Sequence, residues 1–180
     1  MKKLVILGAG TSGTMMANHL HDKLPKDWSL TIVDKDETHY YQPGFLFIPF
    51  DIYKPKQVKK SIDQFIPKNV ELIHSAIDRV DKDADQVLLK NGNVIDYDLL
   101  IIATGTNIEP SEIQGMDGPE WHKSIFDFYT FEGAKNLRNK LREWEGGKLV
   151  VHIAEMPIKC PVAPLEFSFL ADSFFINKDM

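Results

Sequence analysis

The 180-residue chain carries 21 Lys and Arg against 26 Asp and Glu, a net charge of -5, with 43% hydrophobic residues and one cysteine. A hydrophobic share of that size supports a real core and excludes a disordered chain, while an acidic balance with no basic stripe argues against a nucleic acid partner. A single cysteine excludes an internal disulfide and fits a reducing compartment, and nothing approaches the roughly 18 to 20 consecutive apolar residues of a membrane span. The apolar run after Met1-Lys2-Lys3 is too short for a signal peptide, so a cytoplasmic location is expected.

Leu4 to Leu7 form an unbroken apolar run, which predicts a central parallel strand covered on both faces. Gly8, Gly10 and Gly13 follow at once in G-x-G-x-x-G spacing, and Met15 to Leu24 reads as the next helix, ended by Pro25. Leu30 to Val33 predicts a second buried strand, with Asp34 placed 21 residues beyond Gly13. Together these predict a nucleotide cradle. The first glycine permits a tight turn, the second lets backbone approach a pyrophosphate, and the third lets helix pack on strand. Asp34 stands where a carboxylate meets the ribose. The cradle alone does not distinguish FAD from NAD.

Thr38 to Phe50 is dense in aromatics and interrupted by Pro43 and Pro49, which predicts a packed loop: a core plug, or a wall beside a cofactor with Gln42 and Pro43 near it. Lys54 to Lys60 holds four lysines, read as a solvated helix start, and Gln57 to Ile66 places Val58, Ile62, Phe65 and Ile66 at helical spacing. A short amphipathic helix ending at Pro67 is expected there. Val70 to Ile73 and Ala76 to Val80 are β-rich. After the polar turn at 81–86, Val87 to Leu89, Asn91-Gly92 and Val94-Ile95 complete a meander, Asn-Gly between apolar strands being a strong hairpin signal. Asp98 to Ile102 predicts a third buried strand delivering Ala103-Thr104-Gly105 at its carboxyl end, where ligands of open α/β sheets bind.

A glycine cradle followed by a meander and an Ala-Thr-Gly turn resembles the two-dinucleotide-binding-domain flavoproteins, in which the first cradle holds FAD. The resemblance implies Gly8, Ala9, Gly10, Thr11, Ser12 and Gly13 at the pyrophosphate and Asp34 with Lys35 at the adenosine ribose. It places Ala76 and Ile77 near the adenine, and Gln42, Ala103, Thr104 and Gly105 beside the cofactor. The implied class is α/β: a Rossmann-like FAD-binding domain, residues 1–110, with a parallel sheet plus a β-meander. Residues 111–180 would be a connecting segment and the start of a second, truncated Rossmann-like lobe.

In such flavoproteins a second glycine cradle takes NAD(P)H. Tyr129 to Trp144 reads as an amphipathic helix and Lys148 to Ile153 as the strand of that second cradle, yet no glycine follows Gly147. A pyrophosphate would meet side chains where it needs bare backbone. Instead Cys160 precedes Leu165 to Phe174, a helix with Pro161 or Pro164 near its first turn, where amides, dipole and Lys159 would favour the thiolate. Pro157-Ile-Lys-Cys160, Glu166-Phe-Ser-Phe169 and Tyr41-Gln-Pro-Gly44 resemble sulfide:quinone oxidoreductases and the flavocytochrome-type sulfide dehydrogenases.

That resemblance implies an FAD-dependent oxidation of sulfide with quinone as acceptor, Cys160 as the catalytic thiol carrying sulfur, and no metal. It also implies peripheral contact with the cytoplasmic membrane. Many relatives carry a further cysteine where this chain has Phe126 after Ser124-Ile125, which leaves the usual cysteine triad open. Relatives run to roughly twice this length, so the chain reads as a fragment, inactive by itself. Its Phe167, Phe169, Leu170, Phe174, Phe175 and Ile176 are expected to lie exposed and to drive homo-oligomer formation. Two alternatives stand beside this reading: an NADH:quinone oxidoreductase of the same fold, and a non-catalytic nucleotide-binding or assembly fragment.

Overall fold

A computed structural model describes residues 1–178, which separate into two compact units. The first unit comprises Met1–Tyr40 and Lys59–Gly105. In chain order it contains β1 (Lys2–Leu7), α1 (Thr11–Leu20), β2 (Trp28–Asp34), β3 (Thr38–Tyr40), β4 (Lys59–Ser61), β5 (Glu71–His74), β6 (Ile77–Asp81), β7 (Gln86–Leu89), β8 (Val94–Asp96) and β9 (Leu99–Ile102). Four strands form a parallel sheet in the order β5-β2-β1-β9, and β6, β7 and β8 form an antiparallel meander.

The unbroken apolar run of β1 follows from its place between two layers. Leu4 and Ile6 pack with Ala17 of α1, Leu30 and Ile32, while Val5 and Leu7 face the other way onto Val33, Val87 and Leu89. The meander therefore covers one face of the parallel sheet and α1 the other, so alternating side chains of one strand are all buried. Asn93 closes the Asn-Gly hairpin by accepting at its carbonyl from the Leu89 amide, with Gly92 at φ 88°.

Three expectations for this unit are corrected. Helix α1 begins at Thr11 rather than Met15, because Gly10 serves as N-cap directly behind the glycine turn. The expected helix over Gln57 to Ile66 is instead a tight turn at Pro55–Val58, strand β4 and a second tight turn at Ile62–Phe65. Val58 and Ile62 are both buried, as the helical spacing required, but the residues between them are extended because β4 pairs antiparallel with β3. The third strand of the sheet, β9, is an edge strand rather than a buried one, with Leu99 50% and Ile102 67% exposed; only Leu100 and Ile101 reach the two cores.

The second unit comprises Tyr41–Val58 and the chain from Thr106 onward. Among the described residues its two α-helices are α2 (Phe131–Glu143) and α3 (Ala163–Ile176). They share a core in which Leu46, Phe50, Leu137, Leu141, Phe167 and Ala171 are buried and Phe126, Phe128, Trp144 and Phe174 pack around them. The Phe128 and Phe167 rings stack at 4.7 Å with planes 3° apart, and Phe50 lies 5.1 Å from Phe167. The aromatic loop after Thr38 thus plugs a core, and Phe126 packs against that core.

Asp51, at φ 60°, ties the same loop to α2 through Arg138 and a two-point bond from Arg142 at 2.8 and 2.9 Å. The start of α2 is capped twice. Thr130 Oγ1 accepts from the Gly133 amide at 3.0 Å, and the buried Asp127 carboxylate accepts from the amides of Tyr129 and Thr130 and from the Thr130 hydroxyl. His122 closes this network, with Nε2 3.3 Å from Asp127 and Nδ1 3.1 Å from the Asn136 amide.

Two expectations for this unit change. Lys148 to Ile153 is not a strand: a strand requires a ladder, and none forms there, leaving Val150 70% exposed. The expected aromatic patch on the last helix is mostly covered. Phe167 is buried, Phe174 packs on Phe50 and Phe175 on Trp144, so that Phe169 and Ile176 are the exposed members.

Candidate functional site

In the first unit the turn between β1 and α1 is built on three different glycine environments. Gly8 has φ 93°, and a Cβ there would lie 2.5 Å from the Ala103 carbonyl oxygen and 2.9 Å from Thr104 Cα. The first glycine therefore exists because the Ala103-Thr104-Gly105 turn presses against it, which couples the two glycine-bearing motifs. Leu7 accepts from the Ala103 amide at 2.7 Å and locks that approach, and Gly105 at φ 71° turns the chain away. A Cβ on Gly13 would fall 1.8 Å from the Gly8 carbonyl oxygen, so the third glycine lets α1 lie directly on the turn. Around Gly10 no atom of the described residues beyond its chain neighbours lies within 4 Å of such a Cβ, and Gly10, Thr11 and Ser12 are exposed at the start of α1. The helix carries no side-chain cap and no acidic residue in its first turn. Exposed amides at the positive end of a helix dipole, with open space above a glycine, are what a pyrophosphate needs.

Asp34 ends β2 beside this turn. Its Oδ2 accepts from the Ala9 amide at 2.6 Å and its Oδ1 from the Asp36 amide at 3.0 Å. Each oxygen keeps a second lone pair for a hydroxyl donor. Lys35 follows, exposed. Asp34 pairs in register with His74, its carbonyl accepts from Ser75, and the Ala76 carbonyl accepts from Lys90, which brings Ala76 and Ile77 to the same end of the sheet. Gly8, Ala9, Gly10, Thr11, Ser12, Gly13, Asp34, Lys35, Ala76, Ile77, Ala103, Thr104 and Gly105 all belong to this unit and converge on the carboxyl ends of the parallel strands. His39, on β3, was not among the residues singled out from sequence, yet its Nδ1 lies 3.1 Å from the Ala9 carbonyl oxygen. Its place in an aromatic-rich stretch gave no sign of this.

Gln42 and Cys160 belong to the second unit, where Lys159 joins them: its ammonium donates to Gln42 Oε1 at 2.6 Å. That lysine, expected to favour the Cys160 thiolate, is thus engaged by Gln42. Cys160 is exposed and sits at φ 58°, a conformation a non-glycine residue adopts only when held. Its carbonyl accepts from the Tyr129 hydroxyl at 3.2 Å and from the Ala163 amide at 3.1 Å, the latter bond opening α3, with Pro164 in the first turn. Burial, and then the neighbouring charge of Cys160, raise the Tyr129 hydroxyl above its ordinary range. Tyr129 also escaped the sequence reading, which treated it as the first residue of a helix. Among the described residues, no group of three or more His, Cys, Asp and Glu is arranged to hold a metal ion, and no helix is long and apolar enough to cross a membrane.

Comparison with known proteins matches residues 2–152 to the family described as pyridine nucleotide-disulphide oxidoreductase. The mitochondrial sulfide:quinone oxidoreductase of Dictyostelium discoideum is 25% identical over 173 residues, covering 96% of this chain and 38% of the relative. A type II NADH:quinone oxidoreductase of Staphylococcus haemolyticus is 27% identical over 144 residues, covering 79% of this chain and 34% of the relative. The X-ray structure of the sulfide:quinone oxidoreductase from Aquifex aeolicus superposes with a TM-score of 0.65 at 26% identity, covering 79% of this chain and 32% of that one. The chain therefore spans about a third of the length of the relatives it matches, so these relatives are longer than the roughly twofold length expected from sequence.

Proposed function

From a chain that belongs to the pyridine nucleotide-disulphide oxidoreductase family, a family of FAD-binding flavoproteins, we propose the FAD cradle and the sulfur-carrying thiol of an enzyme that oxidises sulfide and passes the electrons to quinone. The observation that carries this reading is the segment after Gly147. Where a second glycine cradle for a nicotinamide dinucleotide would follow a strand, the chain has no glycine and presents an exposed Cys160 on a turn held by Tyr129. The relatives named as sulfide:quinone oxidoreductases support it.

In the first unit, the amides at Gly10 to Ser12 would receive the FAD pyrophosphate, Asp34 with Lys35 would meet the adenosine ribose, and Ala76 and Ile77 would border the adenine. Ala103, Thr104 and Gly105 would border the cofactor from the adjoining turn. FAD, when bound, supplies a two-electron sink that quinone can discharge. Cys160 holds the substrate sulfur, and Gln42, through Lys159, helps set the turn on which it stands. Quinone as acceptor calls for peripheral contact with a membrane, which co-sedimentation with quinone-containing lipid vesicles checks.

A second reading, oxidation of NADH, is favoured by the resemblance to the type II enzyme. The FAD-loaded protein, taken at the full length of its relatives and kept anaerobic, separates the two: sulfide bleaches the flavin absorbance and NADH leaves it unchanged. Bleaching by NADH but not by sulfide would replace the first reading with the second.

A further inference from the structure

Ala9 lies at the centre of the glycine turn, is fully buried, and has both of its peptide planes gripped by side chains from outside the turn. The plane before it is held where its amide donates to Asp34 Oδ2 at 2.6 Å. The plane after it is held at its carbonyl oxygen, 3.1 Å from His39 Nδ1. A carbonyl oxygen can only accept, so Nδ1 carries the hydrogen in this contact. The peptide joining Ala9 to Gly10 is planar and trans, so its C=O and the Gly10 N–H point in opposite directions from one rigid plate. Whatever fixes the Ala9 carbonyl therefore aims the Gly10 amide, the first donor of the exposed helix start.

The imidazole is well placed to act as such a fixture. His39 lies on β3, in register with Lys60 of β4, and its ring packs 4.5 Å from that of Phe65. The Phe65 carbonyl accepts from Asn18 Nδ2 at 2.7 Å, and the same nitrogen donates to Thr14 of α1 at 2.8 Å. His39 is thus braced against a residue bonded to the helix whose amides it would help to orient.

We propose that His39 is a positioning residue for the dinucleotide cradle, holding the Ala9 carbonyl so that the Gly10 amide faces the pyrophosphate. The proposal rests on the assignment of the glycine turn as the FAD pyrophosphate site. The test uses FAD and ADP titrations of the purified chain, ADP probing the adenosine and pyrophosphate half alone, with thermal unfolding recorded for each variant. His39→Leu should weaken both ligands about fivefold, the effect of one neutral hydrogen bond. His39→Asn, whose amide nitrogen can occupy the place of Nδ1, should restore both to within about twofold of wild type. A packing role alone would lower the unfolding temperature in both variants and leave the affinity of the folded protein unmoved. Wild-type affinity in His39→Leu, or equal losses in the Leu and Asn variants, would overturn the proposal. Failure of wild type to bind either ligand would instead overturn the cradle assignment and the proposal with it.

Discussion

Replacing Gly10 and Gly13 separately by alanine divides ligand binding from folding within one turn. At Gly10 the backbone is at φ -70° and ψ -165°, a region open to alanine, and the new methyl meets nothing within 4 Å. A compatible Gly→Ala change gains about 0.4–1 kcal/mol through the unfolded chain, while alanine is a poorer N-cap than glycine by a similar amount. The two offset, and the unfolding temperature should stay within about 2 °C of wild type. On the proposed placement of the pyrophosphate, the same methyl would stand in its path to the amides, and FAD affinity should fall at least about tenfold, or about 1.4 kcal/mol. Gly13→Ala behaves oppositely. Its methyl would sit 1.8 Å from the Gly8 carbonyl oxygen, so helix and turn must part, at about 1–3 kcal/mol of overpacking and roughly 2–12 °C of unfolding temperature. Circular dichroism melts and an FAD titration followed by flavin fluorescence read both quantities. A Gly10→Ala protein that binds FAD within twofold of wild type would refute the placement of the pyrophosphate over this turn.

Three further outcomes concern the second unit. Burial raises the Asp51 carboxyl, but the bonds from Arg142 and Arg138 outweigh it and hold the group below its ordinary 3.8, so its stabilisation is present above that value and is lost as pH falls through the lower, folded one. Asp51→Asn should therefore cost about 0.5–1 kcal/mol at neutral pH, with the gap to wild type closing in urea titrations below about pH 3.8. Asp127→Ala strands the amides of Tyr129 and Thr130 beneath α2 and should cost about 2–4 kcal/mol in the same titration. Phe167→Ala should cost about 3–5 kcal/mol, whereas Phe169→Ala, on an exposed position of the same helix, should stay within about 0.5 kcal/mol, as differential scanning calorimetry would show.

What was legible in the sequence was whatever depends on neighbours in the chain. The strand, glycine turn, helix and acid from Leu4 to Asp34, and the Asn91-Gly92 hairpin, are local patterns whose geometry their own residues determine. Pairing across the fold was not legible. Val58 and Ile62 have the four-residue spacing of one helix face, yet the pairing of β4 with β3 extends the residues between them and buries both anyway. Lys148 to Ile153 has the composition of a strand, and composition supplies no partner. The edge position of β9 depends on sheet order, which its apolar run cannot express. The same holds at the site. Gly8 is understood only when Ala103 is seen against it, and His39 only when its ring is found on the Ala9 carbonyl.

Cys160 is the one cysteine of this chain, so a single substitution here reaches the claim that it carries the substrate sulfur. The decisive measurement is the rate at which sulfide bleaches the flavin of the anaerobic, FAD-loaded protein taken at the full length of its relatives, since the 180-residue chain alone is expected to be inactive, compared between wild type and Cys160→Ser at equal flavin content. The account predicts rapid bleaching in wild type and none above the rate of free FAD with sulfide in the serine variant. Equal rates in the two proteins would contradict it and remove Cys160 from the chemistry.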